Sequence, residues 1–325
     1  MKDQFQRNID YMRVSITDRC NLRCRYCMPN DITLLPMDMV LTYEEILDVI
    51  RQAAALGIRK IKVTGGEPLV RKNCTDLIRE IKNIEGIEKV TLTTNGILLP
   101  QFIDELKDIG IDGINISLDT LQKERFAAIT GFDALDQVMK GIDASLAAGI
   151  RTKINTVLQK DVNDDEWIDL MKLAEDRRLD VRFIEMMPIG YGDKDRGVND
   201  HELREKIREL YPEMEEDTSV HGNGPATYIR IPGFIGGVGF IAAINEKFCQ
   251  DCNRIRLTCT GRIKPCLCYG ESFDLREILR TREGEDRETQ LRETLRKAIL
   301  YKPKEHCFEQ SSQVTEKKKM SQIGG

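Results

Sequence analysis

The chain has 325 residues, 41% of them hydrophobic, with 49 basic side chains against 54 acidic ones and ten cysteines. That length allows about two domains of ordinary size or one long α/β barrel. A net charge of −5 excludes a general nucleic-acid binder, so any polyanion must be met by a local basic pocket.

The first ten residues are polar and contain no apolar run, so no signal peptide is expected. The most apolar stretch, 233–244, is short and broken by Gly236, Gly237 and Gly239, so no membrane span is expected either. Residues 12–185 alternate short β-branched runs with amphipathic stretches, the pattern of βα units around a parallel sheet. Strands are expected at 12–17, 60–64, 90–94, 113–118, 152–158 and 180–185. Helices are expected at 42–56, 73–84, 101–109, 135–148 and 164–178; the first opens on a Thr42/Glu45 capping box and closes at Gly57. Six such repeats give an α/β fold, a partly closed barrel over 1–188. Beyond Pro188 come a Gly- and Asp-rich loop (189–200), a charged helix at 201–210 and Gly/Pro-punctuated β-like runs. A charged helical stretch at 281–296 and a polar tail, with Lys317, Lys318 and Lys319 solvated, complete an α+β extension over 189–325.

A soluble cytoplasmic chain is the expectation, and there disulfides are rare, so clustered thiols read as metal ligands or catalytic groups. Cys20, Cys24 and Cys27 form C-x-x-x-C-x-x-C just after the first strand. Chance gives such a triad about 0.01 times at this cysteine content, so the spacing carries meaning. Three thiolates on one loop can hold three irons of a four-iron cluster and leave the fourth open to a substrate or cosubstrate. A structural zinc knuckle with a distant fourth ligand is the alternative. At the end of the second strand, Gly65 and Gly66 of Thr64-Gly65-Gly66-Glu67-Pro68 let backbone carbonyls approach a ligand ammonium, and Glu67 can organise the turn. The triad, with Tyr26 before its last cysteine, and this Gly-Gly-Glu motif together resemble the radical S-adenosylmethionine enzymes. The resemblance implies a partial (βα)6 barrel, a [4Fe-4S] cluster on Cys20, Cys24 and Cys27, and S-adenosylmethionine as cosubstrate.

Cys249 and Cys252 lead into Asn253-Arg254-Ile255-Arg256-Leu257, and Cys266 follows. Residues 248–267 resemble the C-terminal cluster motif of the GTP 3′,8-cyclase family of molybdenum-cofactor biosynthesis. That resemblance runs from Asp10 to the ending Met320-Ser321-Gln322-Ile323-Gly324-Gly325. It implies a second [4Fe-4S] cluster on Cys249, Cys252 and Cys266, and a catalytic Gly324-Gly325 tail that enters the active site. Cys74 and Cys307 read as structural or incidental thiols, and Cys259 and Cys268 as rival ligands to the second triad. If those two complete four ligands per cluster, the chain is an iron-sulfur electron carrier or a zinc-stabilised module instead. A peptide-modifying twin-cluster radical enzyme is the other rival.

Lys60, Lys62 and Thr64 share one face of their strand, and several inward basic residues in a barrel require an anionic ligand. The family resemblance assigns GTP contacts to Arg13, Lys60, Lys62, Lys153 and Arg182, with Arg254 and Arg256 supplied by the second cluster motif. Lys62 stands where the family carries arginine, so a weaker or rearranged phosphate contact is expected there. The cosubstrate positions implied are Tyr26, Gly66, Thr93, Ser117 and Met187, with Asn95 as a secondary candidate. The implied lyase reaction cleaves S-adenosylmethionine reductively to a 5′-deoxyadenosyl radical, which abstracts the ribose 3′ hydrogen of GTP. Attack on C8 then gives 3′,8-cyclo-7,8-dihydro-GTP, with Arg254 and Arg256 assisting radical quenching. Implied partners are a flavodoxin or ferredoxin donor, a downstream cyclic pyranopterin monophosphate synthase, and a second copy of the chain as a homodimer.

Overall fold

The computed structural model describes residues 1–28 and 32–324. Six parallel strands, β1 (Tyr11–Ser15), β2 (Lys60–Thr64), β3 (Lys89–Thr94), β4 (Gly113–Ser117), β5 (Thr152–Thr156) and β6 (Leu179–Ile184), pair in chain order, each within a residue or two of its expected start. Their side chains alternate. Met12, Val14, Ile61, Val63, Val90, Leu92, Ile114, Ile116, Ile154 and Val181 are fully buried in the main apolar core. Residues of the other parity, among them Tyr11, Lys62, Thr91, Asn115, Lys153 and Arg182, line one cavity of about 160 Å³. A cavity shared by residues of β1 to β6 requires the sheet to curl around it. Each buried Ile or Val on the outer face stabilises the fold by about 2 kcal/mol, so that face holds the sheet together and leaves the inner one free for polar chemistry.

The helices α1 (Tyr43–Ala55), α2 (Cys74–Lys82), α3 (Leu99–Ile109), α4 (Lys123–Thr130), α5 (Leu135–Ala147) and α6 (Trp167–Lys172) follow the strands. Thr42 caps α1 with the full reciprocal box through Glu45, and Gly57 leaves the helix at φ +96°. These helices depart from expectation in two places. The helix expected over 164–178 shortens to α6, because the carbonyls of Ala174 and Glu175 accept from Gly236 and Ile235 of the extension rather than from their own helix. α4 was not anticipated from the sequence.

The extension contributes β7 (Glu215–Asp217), β8 (Thr227–Arg230), β9 (Val238–Ile241), β10 (Arg254–Leu257), β11 (Arg262–Lys264) and β12 (Phe273–Asp274), with α7 (Asp200–Leu210), α8 (Arg276–Thr281), α9 (Gly284–Leu300) and α10 (Met320–Ile323). It does not build a separate sheet. β9 pairs parallel to β6 and β10 pairs parallel to β1, so the described strands join one twelve-stranded sheet with the extension on both edges. The apolar 233–244 stretch is the route to β9, and Gly236 is obligatory there because a Cβ would lie 1.7 Å from the Leu179 carbonyl oxygen. The helical stretch expected at 281–296 is α9, which runs on to Leu300, with the separate short α8 before it. The tail folds back, and Ile323 joins Ile189, Leu267, Cys268, Cys307 and Phe308 in a second apolar cluster.

Candidate active site

Cys20, Cys24 and Cys27 lie half-buried on the loop after β1. The amide of Leu22 donates to Cys20 Sγ at 3.4 Å, and the turn is closed by Cys27 and Met28 amides on the Cys24 carbonyl at 3.0 and 2.8 Å. Burial, reinforced by the other thiols of the set, pushes Cys27 up to about 12 and holds Cys24 well above the ordinary thiol range. For Cys20 burial is likewise the main cause, and its thiol rises to about 11. Thiolates packed this way require a cation among them.

The Gly-Gly-Glu motif meets this loop backbone to backbone. Gly66 N donates to the Thr17 carbonyl at 2.7 Å and Glu67 N to the Arg19 carbonyl at 2.8 Å. A Cβ on Gly66 would lie 2.3 Å from Arg19 O, and one on Gly65 would lie 2.8 Å from Thr17 O. The glycines are therefore required by the approach of the 17–19 segment, a duty the sequence did not reveal. The buried Glu67 carboxylate accepts from Leu69 N, Thr94 Oγ1 and Asn95 N at 3.0, 2.8 and 2.7 Å. Burial outweighs those donors and lifts it to about 7. Asn95 also reaches Asn21 Oδ1 at 2.7 Å, which ties the end of β3 to the cysteine loop.

Tyr26 donates to Asp119 Oδ2 at 2.7 Å. Thr93 lies at the end of β3, where Asn115 Nδ2 approaches its hydroxyl at 3.5 Å. Ser117, the last residue of β4, is exposed. Met187 is half-buried against the second apolar cluster.

Cys249 opens a short 3₁₀ turn, and its sulfur accepts from His306 N at 3.4 Å. The Cys252 thiol is opposed by burial but, next to Arg254 and Lys302, falls to about 6. Cys266 and Cys252 both interact electrostatically with Arg256. Cys259 is directed elsewhere, towards Ser15, Asp18 and Arg71, and Cys268 lies 3.3 Å from Cys307. Cys74 is buried at the start of α2. Among the described residues, no three His, Cys, Asp or Glu side chains converge as a single bound ion requires; a four-iron cluster instead takes each thiolate on a different iron.

Strand register aligns the basic residues. Arg256 is level with Arg13, and Arg13 with Lys62, across β10, β1 and β2. Arg254, Tyr11 and Lys60 form the next row. Burial, then Arg182, Arg13, Lys153 and Arg254, drive the Lys62 ammonium well below its usual range. Burial together with Arg13 and Arg254 does the same to Arg256. Lys60 differs, since it is paired with Asp10 at 2.8 Å. Lys153 bonds Asp180 and Tyr228 Oη, each at 2.9 Å, and Arg182 Nη2 donates to Asn155 at 2.5 Å.

The tail connects the two triads. The Ser321 amide hydrogen-bonds towards Cys27, and Arg256 Nη1 donates to the Gly324 carbonyl at 2.7 Å. Gly324 has φ +76°, and its Cβ position lies 3.1 Å from Ser15 Cβ and 3.4 Å from Thr64 Cγ2, inside the barrel mouth. Gly325, its expected catalytic neighbour, lies outside the described residues.

Residues 14–174 match the Radical SAM superfamily, and residues 179–308 match Molybdenum Cofactor Synthesis C. The chain is 44% identical over 326 residues to a GTP 3′,8-cyclase of Clostridium perfringens, and 45% identical over 330 residues to one of Heliobacterium modesticaldum, each match covering all of both chains. This chain belongs to the GTP 3′,8-cyclase family of radical SAM enzymes. Its fold is similar to that of Streptococcus suis SuiB bound to S-adenosylmethionine, with a TM-score of 0.62 and 16% identity over 88% of this chain and 68% of that one. Membership of the radical SAM superfamily implies a [4Fe-4S] cluster and S-adenosylmethionine, and the first triad, three crowded thiols with an amide on Cys20 and another on Cys27, has the donor chemistry to hold such a cluster. No helix is long and apolar enough to cross a membrane among the described residues.

Reading the family motifs alone missed the polar groups that hold the site residues. Asp119 behind Tyr26, and Asp180, His221 and Tyr228 around Lys153, belong to no cysteine or glycine motif. A carboxylate two residues beyond Ser117, at the C-terminal end of a barrel strand, was the available signal for Asp119.

Proposed function

We propose that this chain, similar to relatives named GTP 3′,8-cyclase, cyclises GTP to 3′,8-cyclo-7,8-dihydro-GTP, the first step of molybdopterin biosynthesis. The observation that carries the reading is the half-buried row Arg256, Arg13 and Lys62, with the buried Lys153 and Arg182 nearby. So many converging cations at the polar inner face of a barrel are tolerated only with a polyanion between them. A nucleoside triphosphate has the required charge, and arginine forks bind phosphate oxygens in pairs.

In this reading Cys20, Cys24 and Cys27 hold the first cluster, and Cys249, Cys252 and Cys266 hold a second. When bound and reduced, the first cluster supplies the electron that cleaves S-adenosylmethionine to the radical that takes the 3′ hydrogen of GTP. The chain's own residues bind and orient. Tyr26, Gly66, Thr93, Ser117 and Met187, with Asn95, surround the cosubstrate. Arg13, Lys62, Lys153 and Arg182 clamp the triphosphate, and Lys60, already paired with Asp10, serves its rim. Arg254 and Arg256, beside the second triad, contact the purine end and assist quenching of the cyclised radical, while the Gly324-Gly325 tail covers the reacting atoms and excludes water. Residues 1–188 carry the radical chemistry and 189–325 the substrate end. A flavodoxin or ferredoxin as donor and a cyclic pyranopterin monophosphate synthase as consumer complete the proposal.

The test is anaerobic turnover of reconstituted protein with GTP, S-adenosylmethionine and reductant. The proposal expects 5′-deoxyadenosine and the cyclised nucleotide in equal amounts. Protein with a full complement of iron that makes neither would overturn it. Serine at all three second-triad positions should remove about half the iron.

A further inference from the structure

Cys268 and Cys307 take no part in the proposed chemistry, yet their sulfurs lie 3.3 Å apart. The two residues are separated by 39 positions, and the pairing is made by the fold. Cys307 N also approaches Cys268 Sγ at 3.5 Å. The two segments are fastened along their length: Lys302 Nζ donates to Pro265 O at 2.9 Å, Tyr269 Oη to Glu305 O at 3.1 Å, and Glu316 N to Cys268 O at 3.2 Å. Cys268 is two residues beyond Cys266, and Cys307 follows His306, whose amide binds Cys249 Sγ. The thiol pair therefore spans the two halves of the second triad's support.

We propose that Cys268 and Cys307 form an oxidisable dithiol whose disulfide staples the segment that carries Cys266 to the segment whose His306 amide holds Cys249. The oxidant class is a small-molecule disulfide such as oxidised glutathione. Cys307 is 8% exposed and Cys268 is fully buried, which assigns their order. Cys307 sulfur attacks the glutathione disulfide, that S–S bond breaks, and one glutathione leaves with the thiol proton. Cys268 then attacks the mixed disulfide and releases the second glutathione. Two thiols lose two electrons and two protons, and one oxidised glutathione becomes two reduced ones. Ile189, Leu267, Phe308 and Ile323 pack around the pair and bar a small-molecule disulfide from it, so the exchange follows local opening of the tail that covers them.

The dithiol stands on geometry alone; the staple rests on the reading that the second triad holds a cluster. Holoenzyme is incubated anaerobically in an oxidised-glutathione buffer, quenched in acid, alkylated and peptide-mapped. The expected result is a peptide linking Cys268 to Cys307, absent from Cys307→Ser and Cys268→Ser. Free alkylation of both thiols, or linkage of either to a triad cysteine, would overturn the dithiol. In a chain with serine at the three first-triad positions, iron loss to a chelator is timed before and after oxidation. About threefold slower loss, abolished in Cys307→Ser, supports the staple, and an unchanged rate overturns it. A linked peptide in a chain whose second triad holds no iron supports the dithiol while the cluster reading fails.

Discussion

Arg256 donates from Nη1 to the carbonyl oxygen of Gly324 at 2.7 Å, joining β10 to the tail across 68 residues. The contact depends on a left-handed backbone at Gly324 with Ser15 Cβ only 3.1 Å from where a side chain would begin. An L-residue in that region costs about 1–2 kcal/mol, so Gly324→Ala should lower the occupancy of the docked tail about tenfold. Product formation is expected to fall by about that factor while the unfolding midpoint stays within about 2 °C of the parent. Comparable loss of both would mean that the tail supports the fold rather than the chemistry.

Nucleotide affinity should depend on pH through Lys153. Burial and Arg182 pull its ammonium down to about 8 against the opposing pull of Asp180, and a bound triphosphate would raise it again. Between those two values the free protein has lost a proton that the complex needs. Affinity for GTP is thus expected to be level just below pH 8 and to fall by up to about tenfold per pH unit above it. Asp180→Asn removes the opposing charge and should start the decline at lower pH. Calorimetric titration with GTP across this range measures both curves, and a flat profile would contradict the phosphate role of Lys153.

Gly66→Ala is expected to damage the first triad selectively. The added methyl carbon would lie 2.3 Å from the Arg19 carbonyl oxygen, a backbone atom that cannot rotate away. The 17–20 segment must shift and strain the bonds it makes to Gly66 and Glu67. Iron at the first triad and binding of S-adenosylmethionine should each fall more than about tenfold. Iron assays in a chain lacking the second triad, with equilibrium binding of the cosubstrate, measure the effect.

Tyr26→Phe leaves Asp119 Oδ2, in a buried carboxyl group, without its phenolic donor. The remaining bond, from Val157 N to Oδ1 at 2.9 Å, does not replace it. A loss of about 1–3 kcal/mol of stability is expected, read from denaturant midpoints. Replacing Asp119 by Leu in the same background should recover part of that loss, because no buried carboxyl group then remains unsatisfied.

The six parallel strands were legible because β-branched runs such as Lys60–Thr64 stand between amphipathic helices; the first triad stood out by its local spacing, whereas the second was picked out only by the family resemblance of residues 248–267. What depended on distant partners was not legible. Residues 173–178 carry helical periodicity, yet two of their carbonyls are taken by Ile235 and Gly236. α4 contains Phe126 and Ile129 but little else that is buried, so its apolar face was too narrow to stand out. The tail read as polar because its few apolar residues, Val314, Met320 and Ile323, are scattered, and their partners Ile189 and Leu267 come from elsewhere in the chain. Cys307 read as incidental for the same reason, since nothing local announces Cys268.

The extension's strands flank β1 on one side and β6 on the other, and this order has a consequence for synthesis. β1 emerges early from a ribosome, but its neighbour β10 emerges much later: the side-chain bond from Asn253 to Asp10 beside that junction spans 243 residues. Until then the nascent chain carries an open parallel edge at β1 and an inner face with Arg13 and Lys62 but no Arg256. Pairing so remote in sequence is slow and leaves an exposed edge to be shielded while it waits. The row of Arg256, Arg13 and Lys62 can therefore be completed only after residue 256 has been made and β10 has docked on β1.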